Sequence, residues 1–150
     1  KMVSSIKVYD PTSAYTNAIK IIEKSGIRPT KQRRILTKLI FDKGNRHISA
    51  DDLFYEVKNE KRQISMATIY NTLKHFTSLG LIREIVVDQN KSLYCNNTKS
   101  HYHLYIEDEG KIVDIPTQNI DLNIPSMPAC LKLHNIDVIV RIRTLKENKK

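Results

Sequence analysis

The chain has 150 residues, 40% of them hydrophobic, and a formal net charge of +9. That length sets a prior of one domain or two small ones, and no apolar run approaches membrane-spanning length. Cys95 and Cys130 form no CxxC and are too few for a disulfide framework, which excludes the small disulfide-rich secreted class and makes a cytoplasmic location the expectation.

Lys1-Met-Val-Ser-Ser leads into no apolar h-region, so no signal peptide is expected. Residues 13–24 carry Tyr15, Ala18, Ile19 and Ile22 at helical steps, which predicts a first helix. A second starts after Arg28-Pro-Thr30 with Thr30 as N-cap, is striped by Ile35, Leu36, Leu39 and Ile40, and ends at Gly44. His47 falls in the loop that follows. Ser49-Ala-Asp-Asp52 resembles a capping box and opens a third helix striped by Leu53, Phe54 and Val57. The fourth helix runs from Ser65 to a glycine stop at Gly80, with Met66, Ile69, Tyr70, Leu73, Phe76 and Leu79 as its apolar stripe. Residues 81–87 and 91–95 then flank the turn Asp88-Gln-Asn90 as a hairpin. Helices followed by a two-stranded ribbon describe a winged helix-turn-helix.

The opposite face of the fourth helix carries Ala67, Thr68, Asn71, Lys74 and His75. Small and amide-bearing side chains near a helix N-terminus are what a DNA major groove admits and reads. Ala67, Thr68, Tyr70 and Asn71 are therefore the candidate groove contacts, with core packing as the other reading of Tyr70. Lys31, Arg33, Lys74, Arg83 and Lys91 are the candidate phosphate contacts, with a solvated charged face as the alternative for each.

Asn96-Asn-Thr-Lys-Ser100 reads as a hinge, placing a winged-helix domain at 1–96, the hinge at 97–100 and a second domain at 101–150. Residues 1–96 hold 17 Lys+Arg against 9 Asp+Glu, and residues 97–150 hold 8 against 7. A basic first part joined to a near-neutral second part suggests a polyanion-binding domain with a separate partner. Beyond the hinge, residues 101–106 and 111–115 read as strands around the acidic turn Glu107-Asp-Glu-Gly110. A short helix is predicted near residues 118–122 and a last strand over 136–142. About fifty residues rarely bury enough apolar surface to stand alone, so this unit is expected to complete its core against a second copy. The fold class is α+β: a winged helix-turn-helix, then a small α/β dimerisation domain.

Residues two apart on a strand share a face, so His101 and His103 project together. If the hairpin closes with a two- or four-residue loop centred on Asp108-Glu109, His103 faces Asp114 directly. Two imidazoles and a carboxylate on one patch begin a divalent-metal site. An exposed strand with ordinary histidines is the alternative. The His101-x-His103-x-x-x-Glu107 spacing also mimics a cupin metal motif. That fold, however, needs about eight strands, and the flanking glycines are absent. No P-loop, dinucleotide fingerprint or nucleophile–base pair appears, so an enzyme is not expected.

Four features coincide: Arg28-Pro-Thr-Lys-Gln-Arg33, His47-Ile-Ser-Ala-Asp-Asp-Leu53, Ala67-Thr-Ile-Tyr-Asn-Thr-Leu73, and His101-x-His103 followed by Asp114. Together they resemble the ferric uptake regulator family of metal-dependent repressors over roughly residues 15–143. The tail Asp137-Val-Ile-Val-Arg-Ile-Arg143 and the lack of cysteine pairs look most similar to the iron response regulator branch. The resemblance implies a cytoplasmic, homodimeric regulator of the iron-homeostasis type. It would bind a pseudo-palindrome in double-stranded DNA, with no membrane partner, under control of Fe²⁺, Mn²⁺ or Zn²⁺ or of haem. It implies metal ligands at His47, His101, His103 and Asp114, while the family's remaining carboxylate falls on Cys95, either a softer thiolate ligand or a buried spectator beside four protein ligands. The family's second site is poorly matched, with Ser100 and Tyr102 beside Asp121, and its structural zinc cysteines are missing. A peroxide-sensing regulator of the same family, a winged-helix regulator without metal dependence and a small HxH metalloenzyme are the alternatives.

Overall fold

Thr30, Ser49 and Ser65 each open a helix in the computed structural model, which describes residues 11–146. Their side-chain oxygens accept from the backbone N–H three residues on, satisfying donors that a helix start leaves open. At Ser49 the box is reciprocal, since Asp52 Oδ2 accepts from Ser49 N at 2.9 Å. The chain divides between Thr98 and Lys99 into two units.

The first unit contains α1 (Pro11–Lys24), α2 (Lys31–Phe41), α3 (Ala50–Asn59) and α4 (Met66–Ser78). Ile22, Leu36, Ile40, Leu53, Ile69, Leu73 and Phe76 are each 0% exposed and form one core from all four helices. Helix α4 ends as its glycine predicts. Gly80 takes φ +72°, its N–H reaches Thr77 O, and Leu81 N reaches Phe76 O, closing the last carbonyls. No atom lies within 4 Å of where a Cβ at Gly80 would stand, so only backbone strain opposes a side chain. Gly80→Ala should therefore destabilise the protein by about 1 kcal/mol, read as a lower denaturant midpoint. By contrast, α2 stops at Phe41, short of Gly44, and the glycine turns the chain beyond it at φ +76°.

Three strands finish this unit in the order β1-β3-β2, where β1 is His47–Ile48, β2 is Arg83–Asp88 and β3 is Lys91–Cys95. The β2–β3 hairpin matches the expected wing. His47, expected in a loop, instead lies on β1. Two residues carry no periodicity of their own, and this strand exists only because β3 offers it an edge, pairing His47 with Cys95 and Ile48 with Tyr94.

The second unit is a three-stranded sheet ordered β5-β4-β6, from β4 (Tyr102–Ile106), β5 (Lys111–Ile115) and β6 (Ile139–Ile142). β4 and β5 are antiparallel with His103 opposite Asp114, the register a symmetric loop demands. β6 runs parallel to β4 and is shorter than the predicted 136–142. The predicted helix near residues 118–122 is replaced by one 3₁₀ turn at Thr117–Asn119. Ile120, Asp121 and Asn123 are weak helix formers, and so short a segment cannot repay helix nucleation. Among the described residues this unit is thus β-rich, without an α-helix.

The acidic turn grips the far end of β6. Glu107 meets Arg143 at 2.8 Å and Arg141 at 3.6 Å, and Thr144 N donates to Asp108 Oδ1 at 3.0 Å. Those bonds from Thr144 hold the exposed Asp108 carboxyl below the usual carboxylate range.

Candidate functional site

Among the described residues, candidate metal ligands lie in both units. In the first, β1 and β3 set His47 directly opposite Cys95, with their ligand atoms within 4.8 Å of one another. Cys95 is 0% exposed and its Sγ lies 3.7 Å from Asn97 O. Asn96 follows it and holds the chain before His47. Its Oδ1 accepts from Arg46 N at 2.8 Å, and its Nδ2 donates to Gly44 O at 2.7 Å and Ile40 O at 2.9 Å.

In the second unit β4 delivers His103 and β5 the carboxylate of Asp114, while His101, expected on the same strand, immediately precedes β4. His101 Nε2 lies 2.9 Å from His103 Nε2, and Asp114 Oδ1 lies 3.3 Å from the first and 3.5 Å from the second. Both histidines are buried, and the Asp114 side chain is 29% exposed. His101 Nδ1 meets the backbone carbonyl of Lys99, which can only accept. Nδ1 therefore carries the proton, and in the neutral ring Nε2 presents its lone pair towards His103 and Asp114. A ring fixed by a carbonyl on its outer nitrogen is the arrangement metal-binding histidines adopt. Three donor atoms converging at these distances suit a divalent cation better than each other. The structure thus brings His101, His103 and Asp114 together. His134, in the same unit, is exposed.

The candidate DNA contacts all lie in the first unit. Ala67, Asn71 and Lys74 are exposed on α4. Tyr70 is 52% exposed, so it leaves the apolar stripe that its spacing allowed. Thr68 is half-buried, and its hydroxyl shares a 2.9 Å hydrogen bond with Ser65 Oγ at the helix start. His75 sits with its Nε2 buried rather than turned to solvent. Lys31 is exposed at the start of α2, whereas Arg33 is half-buried and donates to Arg28 O at 2.8 Å. Arg83 is half-buried on β2, and Lys91 is exposed where β3 begins.

Tyr70 and Lys91 line one cleft between α3, α4 and the wing. The same cleft holds the carboxylates of Asp51, Asp52 and Glu84, an acidic component that the charge count along the chain did not suggest. Tyr94, which also lines the cleft, is buried, and burial with Glu84 and Tyr70 nearby raises its phenol above the ordinary value.

A profile of the ferric uptake regulator family matches residues 24–141. The peroxide-responsive repressor PerR of Staphylococcus epidermidis is 33% identical over 104 residues, covering 69% of each chain. Its counterpart in Staphylococcus aureus is 31% identical over 110 residues, covering 73% of this chain and 74% of that one. Among solved structures, the ferric uptake regulator from Pseudomonas aeruginosa with manganese superposes with a TM-score of 0.64 at 18% identity, over 86% of this chain and 98% of that one. The Helicobacter pylori ferric uptake regulator gives a TM-score of 0.65 at 17% identity, over 94% and 96%. The shared fold is α+β, with an N-terminal winged helix-turn-helix region and a β-rich C-terminal unit. The relatives overturn the expected iron response regulator branch, since both belong to the peroxide-responsive one. The tail that suggested it holds the Val/Ile-rich β6, a composition that β-strands in general favour. Missing cysteine pairs are an absence, not a signature.

Proposed function

The chain belongs to the ferric uptake regulator family of DNA-binding transcriptional regulators, and from that premise we propose that it acts as a homodimer whose operator affinity is set by a divalent metal and lost on exposure to peroxide. Members of this family are regulators, not enzymes, and they bind DNA as homodimers. Among the described residues no helix is long and apolar enough to cross a membrane; a regulator that binds genomic DNA would act in the cytoplasm.

One observation carries the metal dependence: His101 Nε2, His103 Nε2 and Asp114 Oδ1 converge within 3.5 Å. His47 and Cys95 supply the rest of the proposed ligand set. A bound cation would supply positive charge that holds donors from both units in one arrangement, biasing how the two reading heads are presented. Cys95 gives the set a thiolate where the family has a carboxylate. A softer donor moves preference from Mn²⁺ or Fe²⁺ towards Zn²⁺. Its complete burial favours a ligand role over direct attack by an oxidant, since buried thiols are inert. The peroxide response rests on the likeness to the staphylococcal repressors.

On DNA, Ala67, Thr68, Tyr70 and Asn71 would face the major groove, while Lys31, Arg33, Lys74, Arg83 and Lys91 would meet phosphates. A twofold dimer implies a pseudo-palindromic operator. Lys91→Ala should reduce the slope of log affinity against log salt by about 0.9 per head, and an unchanged slope removes Lys91 from the phosphate set.

The test is metal analysis of purified protein, paired with operator binding before and after chelation and after hydrogen peroxide. Stoichiometric metal, weaker binding on chelation and weaker binding after peroxide are expected. No bound metal and no chelator effect would leave a winged-helix regulator without a metal switch. A chelator effect without a peroxide effect would keep the metal and remove the peroxide signal.

A further inference from the structure

Arg46 and Asn96 together close the C-terminal end of α2. Arg46 Nη1 donates to Leu39 O at 3.1 Å and Asn96 Nδ2 donates to Ile40 O at 2.9 Å, so two of the carbonyls that a helix end leaves open are answered from outside the helix. The Arg46 guanidinium also places positive charge at the negative end of the helix dipole. Its other nitrogen meets Glu56 of α3 at 3.0 Å, and Glu56 accepts from Lys43 at 2.8 Å as well. Asn96 uses its remaining hydrogen-bonding capacity on the same segment, through Gly44 O and Arg46 N, and its backbone N–H donates to Arg46 O at 3.3 Å.

Arg46 immediately precedes His47, and Asn96 immediately follows Cys95. The two candidate ligands of this unit are therefore flanked by the two residues that tie β1 and β3 to α2 and α3. A loop held only by its ends would absorb a pull on His47 by changing shape. This one is bonded at Gly44, at Arg46 and at the helix end, so a pull on His47 meets the end of α2 through hydrogen bonds. Ile40 is 0% exposed in the core shared with Leu53, Ile69 and Leu73, which extends the connection to the α4 scaffold.

We infer that Asn96 is a positioning residue that fixes His47 to the end of α2 and so transmits metal binding to the DNA-reading helices. This deepens the metal-dependent function proposed above and rests on it. A purely structural role would make the same bonds and differ in one respect: losing them would lower stability without changing how much metal improves DNA binding.

Asn96→Ala, studied well below its unfolding midpoint, should show backbone amide exchange over residues 44–48 at least about tenfold faster in metal-free protein. Its metal-free operator affinity should stay within about twofold of wild type. The gain in operator affinity on adding Mn²⁺ or Zn²⁺ should fall by at least about fivefold, the lower end of ordinary coupling between sites. Asn96→Ser keeps a shorter donor and acceptor and should lie between the two, and it carries the test if the alanine variant does not fold. Unchanged exchange at 44–48 overturns the clamp itself. Faster exchange with the full wild-type gain overturns the coupling role. A wild type that gains nothing from metal removes the functional proposal, and that result is visible before any variant is made.

Discussion

A His47→Ala variant is expected to dimerise normally yet lose most of its metal-dependent gain in operator affinity. His47 lies in the first unit, and His101, His103 and Asp114 lie in the second. Under the proposed ligand set, removing His47 would leave His101, His103 and Asp114 in place, so metal should still bind, though more weakly. What the proposal expects to be lost is the link from the metal to the helices of the first unit. Coupling between sites usually amounts to about 1–3 kcal/mol, or roughly 5–150-fold in affinity, and that is the amount at risk. His101→Ala should behave differently. It removes a donor 3.3 Å from Asp114 Oδ1 and 2.9 Å from His103 Nε2, so metal affinity falls first. Operator affinity of both variants, measured with and without saturating metal, separates the two roles. Retention of the whole metal-dependent difference by His47→Ala would remove it as the link, even in a protein that binds both metal and DNA.

Phe76→Ala is expected to cost about 3–5 kcal/mol of stability, the range for emptying a fully buried aromatic position. Phe76 is 0% exposed on α4 beside Leu73 and Ile69 in the four-helix core. Its carbonyl also takes the closing bond from Leu81 N, so a shift of the backbone would loosen the glycine stop. Such a loss is a large share of the about 5–15 kcal/mol that typical domains possess. Denaturant unfolding checks it, with Asn71→Ala as comparison. Asn71 is exposed on the same helix and should stay within about half a kcal/mol of wild type. A drop of that small size at Phe76 would mean that the core can collapse around the gap.

What could be read from the sequence was what the chain determines locally. The caps at Thr30, Ser49 and Ser65 depend on a side chain and a backbone three residues away, and each formed. The pairing of His103 with Asp114 followed from the symmetry of a short hairpin. Elements decided by distant partners were not legible. β1 depends on the edge of β3, nearly fifty residues on, and nothing in His47-Ile48 announces it. Tyr70 fits the apolar period but stands at the rim of the stripe, where the wing and α3 decide what is covered. Asn96 looked like part of a polar hinge, and only the folded turn at Gly44 shows what its amide bonds. Branch membership was not legible because Val and Ile in the tail mark a β-strand of any lineage.

The parallel partnership of β4 with β6 also sets an order of assembly. β4 and β5 meet across a turn of four residues, whereas the contact of Glu107 with Arg143 closes a separation of 36. The entropy lost in closing a loop grows with its length, and residues 120–138 contain no helix or strand to shorten the search. The hairpin bearing His101, His103 and Asp114 should therefore pair early, and β6 should dock late. During synthesis, the chain would display its converging imidazoles and carboxylate while the last strand was still being made.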